Sequence, residues 1–129
     1  MERVIQFKEH DEKINLIDKS AVMQCEEMYP ETCKAYKEIM QTQYELFCAK
    51  QLNYGPDNIS VGTSLSSPDD IHLSLTGLWF RMNDKIQRLK QLVILNRNDM
   101  VGESLMDTYQ DLSVYGIIAQ LVQRGSWSK

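Results

Sequence analysis

Residues 81–111 read RMNDKIQRLKQLVILNRNDMVGESLMDTYQD, and the fold class turns on how that string is parsed. Apolar residues recur at steps of three and four on both sides of a short polar turn, Asn96-Arg97-Asn98-Asp99. That is the spacing of two amphipathic helices, not of strands. The first half sets Arg81, Asp84, Lys85 and Arg88 three and four apart, and the second sets Glu103, Asp107 and Asp111 at steps of four. Residues so spaced lie along one side of a helix. A cationic row joined by a turn to a carboxylate row is a way for a small helical protein to hold a phosphorylated ligand, with or without a divalent metal.

Working upstream, Ser67-Pro68-Asp69-Asp70 is a helix start: a capping serine, a proline at the first position and two acids near the positive end of the dipole. The spacing predicts a helix to Leu95 with Leu75, Leu78, Trp79, Met82, Ile86, Leu89 and Val93 on one face. Arg81, Asp84 and Arg88 then fall opposite, with Lys85 on the flank, and Trp79 is assigned to the core. Residues 53–67 (NYGPDNISVGTSLSS) are predicted as one long loop, a length that is uncommon unless the loop binds or covers something. Before it, Pro30 to Leu52 is predicted as a helix whose apolar side is Cys33, Tyr36, Met40, Tyr44 and Phe47. Glu9 to Met28 is predicted as another, carried by Ile14, Ile17, Ala21, Cys25 and Met28. Residues 1–8 are predicted as a short strand or an irregular lead-in, since Val4, Ile5 and Phe7 have no helical spacing.

Downstream, the last helix is predicted from Met100 to Arg124, ended by Gly125, with residues 126–129 as a mobile tail and Trp127 at a subunit contact. Its C-terminal half is apolar on nearly every side, so its carboxylates are expected to face a groove between helices. The sum is an all-α protein: a single domain over residues 1–129, a mainly antiparallel bundle of about four helices with one long loop.

Bulk properties narrow the function. A formal charge of −4 argues against broad, direct nucleic-acid binding, which needs a basic face. Three cysteines without a CxxC pair or a histidine cluster, and no secretory leader, point to reduced thiols in a cytoplasm. The apolar runs are too short to span a bilayer. His10 and His72 stand in no metal-ligand pattern, and no catalytic Ser/His/Asp set, phosphate-cradling loop or dinucleotide fingerprint is present.

The charged rows admit two readings. In one, Arg81, Lys85 and Arg88 form interhelical ion pairs with Glu103, Asp107 and Asp111. In the other, the three carboxylates bind Mg²⁺, a hard cation that takes oxygen ligands, and the cations hold phosphate oxygens. Ser104 and Thr108 border the acidic row, either capping the helix or donating to a ligand. Tyr54 either stacks on a nucleobase or packs its loop.

Three blocks carry a more specific likeness: Lys50-Gln51-Leu52-Asn53-Tyr54-Gly55, then Arg81-Met82-Asn83-Asp84-Lys85-Ile86-Gln87-Arg88-Leu89, then Glu103-Ser104-Leu105-Met106-Asp107-Thr108-Tyr109-Gln110-Asp111-Leu112 with Tyr115. Their order over residues 50–115 resembles the first of the nucleotide modification associated domain families, found in phages and bacteria. Asn53 stands where an aspartate is more often expected. The resemblance implies a nucleotide-related role in the cytoplasm, the host's if the chain is phage-encoded, with no defined reaction. It implies site residues Lys50, Asn53, Tyr54, Gly55, Arg81, Asp84, Lys85, Arg88, Glu103, Ser104, Asp107, Thr108 and Asp111, of which the charged-row reading assigns Glu103, Asp107 and Asp111 to a metal and the others to the nucleotide or its phosphate. A weaker likeness is to all-α pyrophosphohydrolases of the MazG and dimeric dUTPase type, which bind Mg²⁺ through acidic pairs. Here the E-x-x-E and E-x-x-D spacings are missing, which leaves enzyme activity open. The expected partner is a nucleotide or nucleotide-derived small molecule, bound, hydrolysed or sequestered as an immune signal, with no membrane and with homo-oligomers allowed.

Overall fold

The computed structural model describes residues 19–129, and it is all-α: five α-helices and one π-helical turn, with no strand among the described residues. The lead-in expected over residues 1–8, His10, and the first part of the helix expected from Glu9 lie outside the described residues. The chain divides into two compact units, one reaching Leu46 and the other running from Phe47 to Lys129.

In the first unit, helix α1 (Lys19–Met28) is followed after Tyr29 by helix α2 (Pro30–Tyr54), which continues into the second unit. Proline at the first position of α2 removes the amide that would have bonded the Glu26 carbonyl, so the ladder is interrupted there. The amides on either side stay paired, Tyr29 N to Cys25 O at 2.8 Å and Cys33 N to Tyr29 O at 3.0 Å. The predicted start of α2 at Pro30 is therefore observed, and its end lies two residues past the predicted Leu52. Of its expected apolar side, Cys33 and Phe47 are half-buried while Tyr36, Met40 and Tyr44 are exposed.

The second unit contains the core. Residues 53–67 are not wholly loop, because Asp57–Ser60 form a helical turn, α3, that ends on Val61 in left-handed backbone. Ile59 and Ser60 of α3 are buried, and the Ile59 carbonyl accepts a 2.6 Å hydrogen bond from the buried Ser74 hydroxyl. Helix α4 (Pro68–Leu89) starts as predicted: the Ser67 side chain accepts from Asp70 N at 3.2 Å. It tightens no further but widens into a π-turn, Lys90–Ile94, closed by a bond from Leu95 N to Lys90 O.

Helix α5 (Leu105–Arg124) begins five residues later than Met100. Gly102 adopts φ +74°, which a continuing helix cannot, and Ser104 then caps the helix by accepting from Met106 N at 3.1 Å. At the other end Gly125, at φ +78°, makes the six-to-one and five-to-two bonds of a Schellman turn, with Ser126 N on Leu121 O and Gly125 N on Val122 O. The tail past it is not a loose end. Trp127 is 4% exposed, donates from Nε1 to Pro56 O at 3.1 Å, and meets the Phe47 ring edge-on at 6.2 Å. The expected subunit contact through Trp127 is thus corrected: the indole fills this chain's own core with Ile59, Leu78, Ile118 and Val122.

Helices α4 and α5 run antiparallel. Arg81 meets Tyr115, Lys85 meets Asp111 and Arg88 meets Thr108, so each step back along α4 is matched by a step forward along α5. The same register carries Leu78 to Ile118 in the core. The seam is apolar at one end and polar at the other, and the polar end is where the candidate site lies.

Candidate functional site

The face that α4 turns to α5 carries Leu78, Arg81, Lys85 and Arg88, at steps of three, four and three. That is rotated from the apolar stripe read in the sequence. Trp79, Ile86 and Val93 are exposed, Trp79 at 57%, while Arg81, Lys85 and Arg88 are half-buried. Long cationic side chains lay their methylene stems along apolar surface and deliver their charge at its edge. An apolar count gives them no credit for this, so it aims the helix wrongly.

Arg88 organises the polar end. Its Nε donates to the Thr108 hydroxyl oxygen at 3.0 Å, and its Nη2 donates to the Glu103 carbonyl oxygen. Asp99 lies 3.5 Å from Nη2 and the Glu103 carboxylate 3.7 Å from Nε. Thr108 is fully buried and the Arg88 side chain is 17% exposed. One turn earlier, Lys85 Nζ is 2.9 Å from Asp111 Oδ2 and 3.4 Å from Glu103 Oε1. Its hydrogen bond to Asp111, and then the fields of Asp111 and Glu103, raise the Lys85 ammonium above its ordinary pKa against the opposing cost of burial. Glu103 bridges the two cations. Asp99 also accepts from Val101 N at 3.1 Å, which fixes the turn that brings it to Arg88. No buried side-chain nitrogen or oxygen among the described residues lacks a hydrogen-bond partner.

The structure therefore brings together Lys85, Arg88, Glu103, Thr108 and Asp111, and adds Asp99. Asp99 stands in the connecting turn, outside the helical spacing that marks the other charged residues. Its signal was present as an acid two residues before a helix-breaking Val-Gly, a place where a side chain can cap a turn.

Other expected site residues lie elsewhere. Arg81 donates to the Asn58 carbonyl at 2.7 Å and sits 5.9 Å over the Tyr115 ring, so it pins α3 and is not part of the charge cluster. Asp84 is exposed. Asp107 is exposed in the first turn of α5, where its charge favours the helix terminus. Glu103 precedes α5, so the three carboxylates do not form one helical row. Lys50, Asn53 and Tyr54 are exposed along the last turn of α2, and Gly55 follows it with its amide on Gln51 O. Ser104 serves as the α5 cap.

No three His, Cys, Asp or Glu side chains among the described residues are grouped so as to hold a metal ion. Glu103 and Asp111 instead share Lys85. No helix among the described residues is long and apolar enough to cross a membrane. Comparison of the chain with protein-family models, curated proteins and solved structures gives no match.

Proposed function

We propose that this chain is a nucleotide-binding protein of the nucleotide modification associated kind, and that Lys85 and Arg88 take the phosphate of a nucleotide or nucleotide-derived molecule. The observation carrying this reading is the company the two cations keep. Each is largely withdrawn from water, and every partner within reach is an oxygen acceptor: two carboxylates for Lys85, and two carboxylates, a carbonyl and a hydroxyl for Arg88. Carboxylate and phosphate oxygens compete for the same guanidinium fork and the same ammonium. Asp99 and Glu103, carried on the connection between α4 and α5, are thus placeholders that a phosphate displaces. The three sequence blocks over residues 50–115 support the nucleotide as the class of ligand.

A second reading has its own observation. Each of these carboxylates already meets a cation, and beside them Ile94, Met100 and Val101 expose apolar surface, at 75%, 89% and 75%. On that reading the ion cluster clips the connection in place and the protein is an interaction module.

Titration calorimetry with nucleoside mono-, di- and triphosphates and cyclic dinucleotides, with and without Mg²⁺, separates the two. We expect heat with at least one of them, lost in Arg88→Gln. We also expect affinity about threefold to tenfold tighter in Asp99→Asn, because a competitor for the guanidinium is gone. No heat with any nucleotide, or equal affinity in wild type and Arg88→Gln, overturns the proposal and leaves the interaction module. Product analysis of the same mixtures distinguishes a Mg²⁺-dependent pyrophosphohydrolase from a protein that binds and sequesters its ligand unchanged.

A further inference from the structure

In a straight helix, residues eight apart are separated by about 12 Å along the axis. The Cys25 and Cys33 sulfurs are 3.6 Å apart, so the interruption at Pro30 folds α1 and α2 into a corner that closes one thiol on the other. The Glu26 carboxylate accepts from Lys37 Nζ at 3.0 Å across the same corner, an independent contact that fixes the same bend. Both thiols are free, and Cys25 is exposed. A concavity lined by Glu26, Pro30, Cys33, Lys34, Lys37 and Glu38 opens directly beside Cys33. Its lining includes the Lys34 and Lys37 ammonium groups, which face Glu38 and Glu26, together with the Cys33 thiol.

We propose that Cys25 and Cys33 are a redox modification site, a paired dithiol that closes to an intramolecular disulfide by exchange with a low-molecular-weight disulfide such as glutathione disulfide. One thiol loses its proton to solvent and attacks a glutathione sulfur. That forms a protein–glutathione disulfide and releases one glutathione thiolate, which takes up a proton. The second cysteine, deprotonated in turn, attacks the protein sulfur of the mixed disulfide and releases the second glutathione. Two cysteine thiols are oxidised to one disulfide, and one glutathione disulfide is reduced to two thiols. Sulfurs in contact need only side-chain rotation and a small approach to reach the bonding distance of about 2.0 Å. Contact with the Cys25 thiol, more than burial, pushes the Cys33 thiol up, so the exchange quickens as pH rises. The product adds a covalent link across the Pro30 corner that the Glu26–Lys37 pair also spans.

The full chain is equilibrated in glutathione redox buffers in native solution and in concentrated urea, quenched with acid and alkylated, and its peptides are mapped by mass. We expect a Cys25–Cys33 link with Cys48 alkylated, and an equilibrium constant at least about tenfold larger in native buffer than in urea, since the corner raises the effective thiol concentration. Cys33→Ser should stop at a glutathione adduct on Cys25. Stable adducts on either cysteine of the wild type, linkage to Cys48, or equal constants in the two solvents overturn the proposal.

Discussion

The ammonium of Lys85 has two carboxylates within reach at unequal distances, and the nearer one, Asp111, dominates its behaviour. Its pKa is raised in the folded chain, so the sign of its contribution to stability is fixed. Stability from Lys85 is fully present below the unfolded lysine value of about 10.4, and it drains away as pH climbs through the higher folded value. Lys85→Met should therefore cost roughly 1 kcal/mol near neutrality, discounted for the residual solvent around the pair. Urea unfolding of wild type and variant at rising pH tests this. The gap should stay constant to about pH 10 and narrow above it, and a gap that persists undiminished into strong alkali contradicts the assignment. Spacing offers Lys85 and Asp111 only as members of a cationic and an acidic set, and the antiparallel register of α4 and α5 is what pairs them. The partners of Arg81 lie outside both sets, a carbonyl of α3 and a ring of α5 that only the tertiary fold brings near.

At the scale of elements, the stops and starts written in local chemistry were readable, and the facing of the helices was not. Pro30, Ser67-Pro68 and Gly125 act within one turn of themselves, so their sequence positions mark the observed ends. The start of α5 moved because Gly102 breaks the backbone before Ser104 can cap it. The rotation of α4 is not written in its own apolar spacing, because burial of Arg81, Lys85 and Arg88 depends on what α5 offers them. The turn α3 was hidden in a stretch of small polar residues, and it is held from outside: Arg81 takes the Asn58 carbonyl and Ser74 the next one. Its end carries a local cost. Val61 is at φ +56°, a left-handed conformation that a β-branched side chain rarely adopts, and it is 52% exposed, so little packing offsets the strain. Asn tolerates this backbone far better, and Val61→Asn should stabilise the second unit by about 1 kcal/mol. Thermal unfolding followed by circular dichroism reads the change. An unchanged or lower midpoint means that Val61 carries packing or a conformation other than the one described.

At the scale of the whole molecule, the second unit is closed by a contact far apart in sequence. Trp127 reaches back to Pro56 and Phe47, covering Ile59, Leu78, Ile118 and Val122 on the way. A tail of small polar residues around one tryptophan reads as mobile only if the turn before it is ignored. The Schellman geometry at Gly125 reverses the chain and aims the next apolar side chain at the helix it has just left. The chain's two tryptophans thus occupy opposite environments, Trp127 at 4% and Trp79 at 57% exposure, which makes closure measurable. Trp127→Ala removes a buried indole and one hydrogen bond to the Pro56 carbonyl, which still accepts from the Ile59 and Ser60 amides, and a cost of about 3 kcal/mol is expected, at the lower end for large aromatic truncations because the segment is near a chain end and can relax. The remaining emission should come from Trp79 alone, red-shifted and open to acrylamide quenching, whereas Trp79→Ala should leave a blue-shifted, protected signal and cost little. If the two variants emit alike and unfold at the same urea concentration, the indole of Trp127 does not close the core. The antiparallel register of α4 and α5 would then have to be held by the polar end of the seam alone.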